Sequence, residues 1–148
     1  NSGKEEKGFN IGLHYHLNNF DIKFYYSYVD VNLALLRSSV FHSGNAISRA
    51  ISSEEPLFIR PFSFDINEPN QLVDHHLAKV NINWWYNEND KLSFVFGRQL
   101  NKRKEFDVRR NAEKPIIDLD LITTDLMIDW DHSFSENSDG LIGITYLF

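Results

Sequence analysis

The sequence "AKVNINWWYNENDKLSFVFGRQ" (residues 78–99) contains two alternating segments on either side of a short polar turn. Before and after the turn, every second residue is large and apolar: Val80, Ile82, Trp84, Tyr86, then Leu92, Phe94 and Phe96. Because side chains alternate between the two faces of a β-strand, this spacing predicts a hairpin with one apolar face. The fold and the function depend on whether that face contacts a protein core or lipid.

A second hairpin is predicted near the start of the chain. Residues 7–17 and 20–28 alternate in the same way, and Asn18 and Asn19 separate them. Asparagine tolerates the positive φ angles of tight hairpin turns, so these two residues are expected to form the turn.

The last third of the chain predicts two further strands. Residues 119–130 alternate but change phase midway, which indicates a bulge near Thr124 and Asp125. Residues 140–148 follow a short polar turn and alternate again. The sequence therefore predicts an all-β fold of about six antiparallel, up-and-down strands.

The two remaining connections, residues 31–72 and 100–115, are long. Within the first, "GNAISRAISSEE" places alanine and isoleucine at helical spacing, which predicts a short amphipathic helix with Asn45 as its N-cap. A loop of this length is unusual inside a compact soluble domain. Short turns at one end of the strands and long loops at the other are typical of outer-membrane barrels.

The apolar face carries its aromatic residues near the ends of the strands. Rings concentrated at two levels are typical of a wall that crosses two membrane interfaces. We therefore expect this face to contact outer-membrane lipid through Phe24, Tyr26, Trp84, Tyr86, Phe94, Phe96, Trp130, Ile144 and Tyr146.

The opposite face is too polar for a dry core and suits the lumen of a barrel. We expect eight residues to line that lumen: Asn10, His14, His16, Lys23, Asn81, Asn83, Ser93 and Gln99. Six strands alone leave two unpaired edges, which hydrocarbon does not tolerate. The sequence thus predicts a transmembrane segment of a larger barrel.

Composition excludes several classes of protein. A net charge of −6 argues against nucleic-acid binding, which needs clustered Lys and Arg. There is no cysteine for a disulfide framework or a thiolate metal site. No apolar run approaches the roughly 20 residues of a spanning helix, so a membrane could be crossed only by strands. The alternative to the membrane is a soluble ligand-binding β domain whose polar face is its solvated exterior.

Three stretches resemble the TonB-dependent outer-membrane receptors, particularly those that take up iron complexes. They are "VFHSGNAISRAISSEEPLF", "FSFDINEPNQLVDHHLAKV" and "GRQLNKRKEFDVRRNAEKPIIDLDLITTDLMIDWDHSF". The resemblance implies a barrel of about 22 strands in a Gram-negative outer membrane, with an N-terminal plug and import powered by the TonB energy-coupling complex. Residues 1–148 would be a partial barrel domain with neither plug nor signal peptide, and the helix would lie in a long extracellular loop.

The resemblance also implies a nutrient ligand, of which a ferric siderophore is the first expectation. Such chelates are anionic, and arginine binds carboxylates through two hydrogen bonds, so we expect ligand contacts from Arg60, Arg103, Arg109 and Arg110. The alternative is that these arginines pair with Glu105, Asp107 and Glu113 or with lipopolysaccharide. An oligosaccharide or a cobalamin-type cofactor is the alternative ligand.

The sequence gives no reason to expect an enzyme, a cofactor or a bound metal. No nucleophile elbow, P-loop or HExxH motif is present. His14 and His16 share a face, but no carboxylate is spaced to complete a metal site with them. His75 and His76 are adjacent and should point to opposite faces.

Overall fold

The computed structural model describes residues 3–35, 44–55, 59, 61, 63–107 and 114–148. The described chain is all-β apart from one short helix, and its six antiparallel strands form one open sheet. The elements are β1 (Lys4–Leu17), β2 (Phe20–Ala34), α1 (Gly44–Ser52), β3 (Asn70–Trp85), β4 (Asp90–Phe106), β5 (Ile117–Ser135) and β6 (Ser138–Leu147).

The strands lie in the sheet in the order β1-β2-β3-β4-β5-β6, so each strand pairs with its neighbour in sequence. This confirms the six predicted strands and their up-and-down arrangement. β1 and β6 are the two edges of this open sheet.

The predicted strand limits were wrong at the ends away from the short turns. β2 continues to Ala34 and β3 begins at Asn70, so the first long connection is residues 35–69 instead of 31–72. β4 continues to Phe106, and the second connection shortens to residues 107–116. Alternation ends before the strands do, because residues such as those of Lys4–Lys7 are charged on both faces. A strand with water on both faces carries no period-two signal.

The chain divides into two compact units. One, here called the hairpin unit, comprises Gly8–Val29, Asp74–Asn101 and Asp120–Phe148. Its three short turns are residues 18–19, 86–89 and 136–137. Asn18 adopts a φ of 40°, as predicted for a tight turn.

Backbone hydrogen bonds join the turn of one hairpin to the neighbouring strand of the next hairpin. Trp85 N–H donates to the Asn19 carbonyl at 2.9 Å, and Ser133 N–H donates to the Asn89 carbonyl at 2.8 Å. Each hairpin is thereby held to the next at its turn.

The other unit, here called the loop unit, comprises Asn1–Lys7, Asp30–Val73 and Lys102–Leu119. Backbone bonds join Ala34 N–H to the Gly3 carbonyl at 2.8 Å and Leu35 N–H to the Pro69 carbonyl at 2.7 Å. The predicted helix is present, but it begins at Gly44, so Asn45 lies inside its first turn and not at the N-cap.

The pairing of β5 with β6 corrects the predicted bulge. Thr124 and Phe148 exchange two backbone hydrogen bonds, and the register then runs regularly from Asp125 opposite Leu147 to Ser133 opposite Asp139. The irregularity in this pairing lies between Ser133 and Ser135, beside the turn. Without a bulge at Thr124, alternation places Leu121 on the same face as Asp125.

The described part of the chain has almost no buried apolar core. Of its hydrophobic residues only Ala34, at 6% exposure, is buried. Large apolar side chains of the hairpin unit are instead exposed, including Trp84 at 38% and Ile144 at 72%. A domain of this size that folded by itself in water would bury its apolar side chains in a core.

Candidate functional site

The polar face of the hairpin unit begins with a cluster around Asp21. His14 Nε2 contacts Asp21 Oδ1, His16 Nδ1 lies 3.7 Å from the same oxygen, and Lys23 Nζ lies 3.3 Å from Oδ2. Asp21 itself is buried, whereas the three basic side chains are exposed. Three predicted lumen residues are thus brought together by a carboxylate that the sequence analysis did not select.

Further polar contacts cross β3, β4 and β5 on this face. Ser93 Oγ donates to Asn83 Oδ1 at 2.9 Å, which joins two predicted lumen residues. Lys91 Nζ donates to Asp131 Oδ2 at 2.9 Å. The Oδ1 atom of Asn81 is buried without a protein partner. Of the other predicted lumen residues, Asn10 is exposed and Gln99 is half-buried.

Two carboxylates of β5 lie directly over glycine. Asp125 lies against Gly97 of β4, and Asp129 lies opposite Gly143 of β6, so that a Cβ at either glycine would overlap the neighbouring carboxylate. A glycine is therefore required opposite each of these acids as they are placed. Together with Asp131 they give the polar side of β5 a row of acids.

The apolar face carries a row of aromatic rings beside the short turns. Phe20 stacks on Trp84 with ring centres 5.5 Å apart, and Trp84 lies 5.5 Å from Tyr86. Trp130 Nε1 donates to the Tyr86 hydroxyl at 2.9 Å. The predicted lipid-facing residues Trp84, Tyr86 and Trp130 are therefore neighbours in space, and Phe20 extends the row onto β2.

A carboxylate lies at the centre of this row. Asp90, 8% exposed, accepts hydrogen bonds from Trp130 Nε1 at 2.9 Å, from His132 Nδ1 at 2.6 Å and from Asn87 Nδ2 at 2.7 Å. These four residues and Tyr86 are here called the Asp90 cluster. A buried charge needs several donors, and the cluster supplies them from the turn and from β5.

Aromatic residues also lie at the far end of the same face. The Phe9 ring is 5.8 Å from Tyr26 and 5.9 Å from Tyr28, and Tyr28 lies 4.8 Å from the His76 ring. The rings of Tyr146, in β6, and Phe148, directly after it, are 5.1 Å apart. Beyond the aromatic row near the turns, rings thus contact one another in two further groups, one on β1 to β3 and one at the end of β6.

His76 connects this second group to an acid. Tyr26 Oη donates to His76 Nδ1 at 2.7 Å, and His76 Nε2 lies 3.0 Å from Asp74 Oδ1. Because a carboxylate only accepts, Nε2 carries the hydrogen and Nδ1 accepts from the phenol. Tyr26, His76 and Asp74 are here called the His76 cluster. His75 bonds Asn101 at 3.0 Å instead, so the two histidines point to opposite faces as expected.

The other predicted lipid-facing residues are exposed or half-buried. Ile144 pairs with Ile128 across β5 and β6, and both are exposed. Phe24 and Tyr146 are exposed, and Phe94 and Phe96 are half-buried. The middle of the face therefore presents aliphatic and aromatic groups.

The predicted ligand-binding arginines are only partly described. Arg60, Arg109 and Arg110 lie outside the described residues. The Arg103 guanidinium hydrogen-bonds Glu105, through Nε at 3.0 Å and through Nη2. With the Gln71 amide turned so that its oxygen faces Arg103, that oxygen accepts from Arg103 Nη2 at 3.0 Å and from Nε. For Arg103 the structure thus describes the pairing with Glu105 that the sequence analysis gave as the alternative.

In the part of the chain that the structure describes, no group of three or more His, Cys, Asp or Glu side chains is arranged to hold a metal ion.

Among the same residues, no helix combines the length and apolar character needed to cross a membrane.

Sequence reasoning missed the two acids that organise these clusters. For Asp21 a signal was present, since a two-residue turn at 18–19 places Asp21 opposite His16. For Asp90 none was available, because its donors Trp130 and His132 come from a strand forty residues away. Comparison of the chain with protein families, with curated proteins and with solved structures gave no match.

Proposed function

We propose that this chain is part of the wall of an outer-membrane β-barrel, and that the barrel belongs to a TonB-dependent receptor that imports a scarce nutrient. Its apolar face contacts lipid and its polar face lines the lumen. The chain performs no chemistry on the nutrient. Its long connections, residues 35–69 and 107–116, face the extracellular side and take part in capture of the ligand.

The observation that carries this proposal is the exposure of the apolar face in a chain whose described part has almost no apolar core. Ile144, Ile142 and Leu13 are all more than half exposed, although each is a strongly apolar residue. Such a contiguous exposed surface marks a contact with lipid or with another protein. Aromatic rings at both ends and aliphatic groups between them favour lipid.

The polar face supports a lumen that contains water. Lys91 and Asp131 pair across β4 and β5 and are partly open to solvent, and the buried Asp21 carboxylate is paired with the exposed Lys23. Charged pairs of this kind do not suit a dry interior, since desolvation opposes them. Alternating lipid-facing and lumen-facing positions along every strand are the pattern of a membrane barrel.

The assignment to TonB-dependent receptors rests on the loop and loop-flank sequences that resemble that family. A ferric siderophore is the ligand that this resemblance favours. The plug and the energy-coupling complex act through parts of the receptor other than these strands. The described strands contribute the wall and the base of two loops.

A second ligand class, an uncharged nutrient such as an oligosaccharide, is favoured by two observations. Arg103, the described member of the four candidate arginines, is engaged by Glu105 and Gln71. The acids Asp125, Asp129 and Asp131 on β5 also repel an anion. A neutral ligand needs no free arginine and is not repelled by these acids.

Membrane placement is tested on the full-length protein that carries this chain. We expect it in the outer-membrane fraction and expect a faster-migrating band on a detergent gel when it is not boiled. A protein found in the soluble fraction, with the same mobility before and after boiling, contradicts the proposal and supports the soluble β domain.

The ligand is tested by expression and uptake. For a siderophore receptor we expect added iron to repress expression and expect deletion of the gene to reduce uptake of radioactive ferric chelates. Expression that does not change with added iron but rises with an oligosaccharide would instead support the second ligand class. The proposal of a membrane barrel would still stand.

A further inference from the structure

Two histidines of β1, His14 and His16, lie two residues apart and project from the same face of the strand. Their side chains are exposed, at 55% for His14 and 62% for His16. Two residues of a strand span about 6.6 Å, and a metal bound by two imidazoles holds their nitrogens about 3.3 Å apart. Each ring therefore needs to lean toward the other by less than about 2 Å, which exposed side chains can do by rotation about their χ angles.

Asp21 supplies the carboxylate that the sequence analysis did not find for these two histidines. His14 Nε2 donates to Asp21 Oδ1, and His16 Nδ1 lies 3.7 Å from the same oxygen. Because a carboxylate only accepts, the hydrogen of His14 lies on Nε2 and a lone pair is left on Nδ1. The same negative charge favours the hydrogen of His16 on Nδ1, which leaves the lone pair on Nε2. Both lone pairs lie on the side of the ring away from Asp21.

The contacts of Asp21 make it an orienting group for the two rings. Its Oδ2 atom lies 3.3 Å from Lys23 Nζ, and its side chain is only 10% exposed. Both carboxylate oxygens are thus engaged, which agrees with the lack of a three-ligand metal arrangement among the described residues. A carboxylate that accepts the second N–H of a metal-binding histidine fixes the ring and raises its basicity as a ligand.

We infer that His14 and His16 form a two-histidine site for a divalent transition metal, with Asp21 as its positioning residue. Neutral imidazole suits Ni²⁺, Cu²⁺ and Zn²⁺, and the affinity of such a site is highest for Cu²⁺. Water or donor atoms of a ligand fill the other coordination positions. In the proposed barrel the site lies on the lumen wall beside the first short turn, but the contacts that define it do not depend on a membrane.

The first test is calorimetric titration of the full-length protein with Cu²⁺ in a buffer without amines. We expect His14→Gln and His16→Gln each to bind one Cu²⁺ fewer than the wild type, because one imidazole alone holds the ion weakly. His75→Gln is the matched control, since His75 lies on the same polar face but bonds Asn101 at 3.0 Å. It should keep the stoichiometry and the affinity of the wild type.

A further variant tests the role of the carboxylate. Asp21→Asn keeps both imidazole ligands and replaces the group that orients them. We expect it to bind Cu²⁺ about 10–100-fold more weakly than the wild type. An unchanged affinity would show that Asp21 does not position the rings.

A second measurement needs no variant and covers the case in which a substitution prevents folding. The wild-type protein is treated with diethyl pyrocarbonate with and without Cu²⁺, and modified histidines are identified by peptide mass spectrometry. We expect Cu²⁺ to protect His14 and His16 and to leave the modification of His75 unchanged.

Equal Cu²⁺ stoichiometry in the wild type and in both folded histidine variants overturns the inference, as does modification of His14 and His16 that is the same with and without Cu²⁺. These results are separate from the proposed function. A protein found in the soluble fraction can still bind Cu²⁺ at this pair, and an outer-membrane protein can fail to bind it.

Discussion

Single residues on both faces act as shared acceptors for several donors. Asp21 collects His14, His16 and Lys23 on the polar side, and Asp90 collects Asn87, Trp130 and His132 on the apolar side. Each acid lies at the start of a strand, directly after a hairpin turn. There it holds side chains that come from separate parts of the sequence. The sequence predicted the donors on the polar side and neither of the acceptors.

Replacing Asp90 tests the cluster on the apolar side. Asp90→Asn removes the charge and places an amide N–H among the donors of Trp130, His132 and Asn87. We expect a lower temperature for the loss of the fast-migrating gel band, because at least one donor loses its partner. The matched control is Asp131→Asn, which breaks only the partly exposed pair with Lys91.

Exposed ion pairs contribute little to stability, so the control should shift the temperature by less than half as much as Asp90→Asn. Equal shifts for the two variants would mean that the Asp90 cluster does not stabilise the fold.

Two glycines of β1 provide a second residue-level test. A Cβ at Gly8 would lie 2.8 Å from the Tyr28 carbonyl oxygen, whereas a Cβ at Gly12 meets no atom within 4 Å. We expect Gly8→Ala to lower the free energy of unfolding by about 1–3 kcal/mol, since the backbone must shift. Gly12→Ala should change it by about 0.5 kcal/mol or less. Urea unfolding of the two variants in the same vesicles measures the difference, and equal values would refute the close approach at Gly8.

At the scale of elements, the alternating pattern predicted which segments are strands but not where they end. β1 begins at Lys4 and β2 ends at Ala34, several residues beyond the alternating part. The same limit explains the bulge that was wrongly predicted near Thr124. The apolar phase changes there although the pairing of β5 with β6 is regular from Thr124 to Ser133.

The strand β6 offers a direct test of its two faces. Ile144 lies midway along the apolar side and pairs with Ile128, while Thr145 lies on the polar side opposite Met127. We expect Ile144→Arg to destabilise the protein in vesicles by about 2–4 kcal/mol, as for a cation near the bilayer midplane. Thr145→Arg should have a much smaller effect.

Urea unfolding in vesicles measures both variants of β6. If the apolar face were exposed to water, Ile144→Arg would be nearly neutral, because Ile144 is already 72% exposed in this chain. A neutral Ile144→Arg would therefore contradict contact with lipid.

At the scale of the whole molecule, the sequence predicted the number of strands, their order, the short turns and the helix. It could do so because these features depend on local pattern and on pairing between neighbours in sequence. It could not predict the Asp90 cluster or the placement of Asp125 over Gly97, which depend on the register between strands. It also predicted ligand contacts from four arginines, of which Arg103, the described one, hydrogen-bonds Glu105.

Insertion of an epitope compares the two kinds of connection. An epitope after Glu55, an exposed loop residue, should leave the fast-migrating band intact and should bind antibody on whole cells. The same epitope after Asn87 should abolish the band, because Asn87 caps its turn through Asn89 N–H at 2.8 Å and Asp90 at 2.7 Å. Antibody binding only after cell lysis would place residues 44–55 inside the cell envelope and would contradict their extracellular position.

The pairing of each strand with its neighbours in sequence has a consequence for how such a protein can evolve. In the described sheet each hairpin pairs with the one before and the one after, through β2 with β3 and β4 with β5. Duplication of a two-strand gene segment would therefore extend the sheet by one hairpin and leave the pairing within the older hairpins in place. In the proposed barrel the circumference would grow in steps of two strands, while the loops diversify independently.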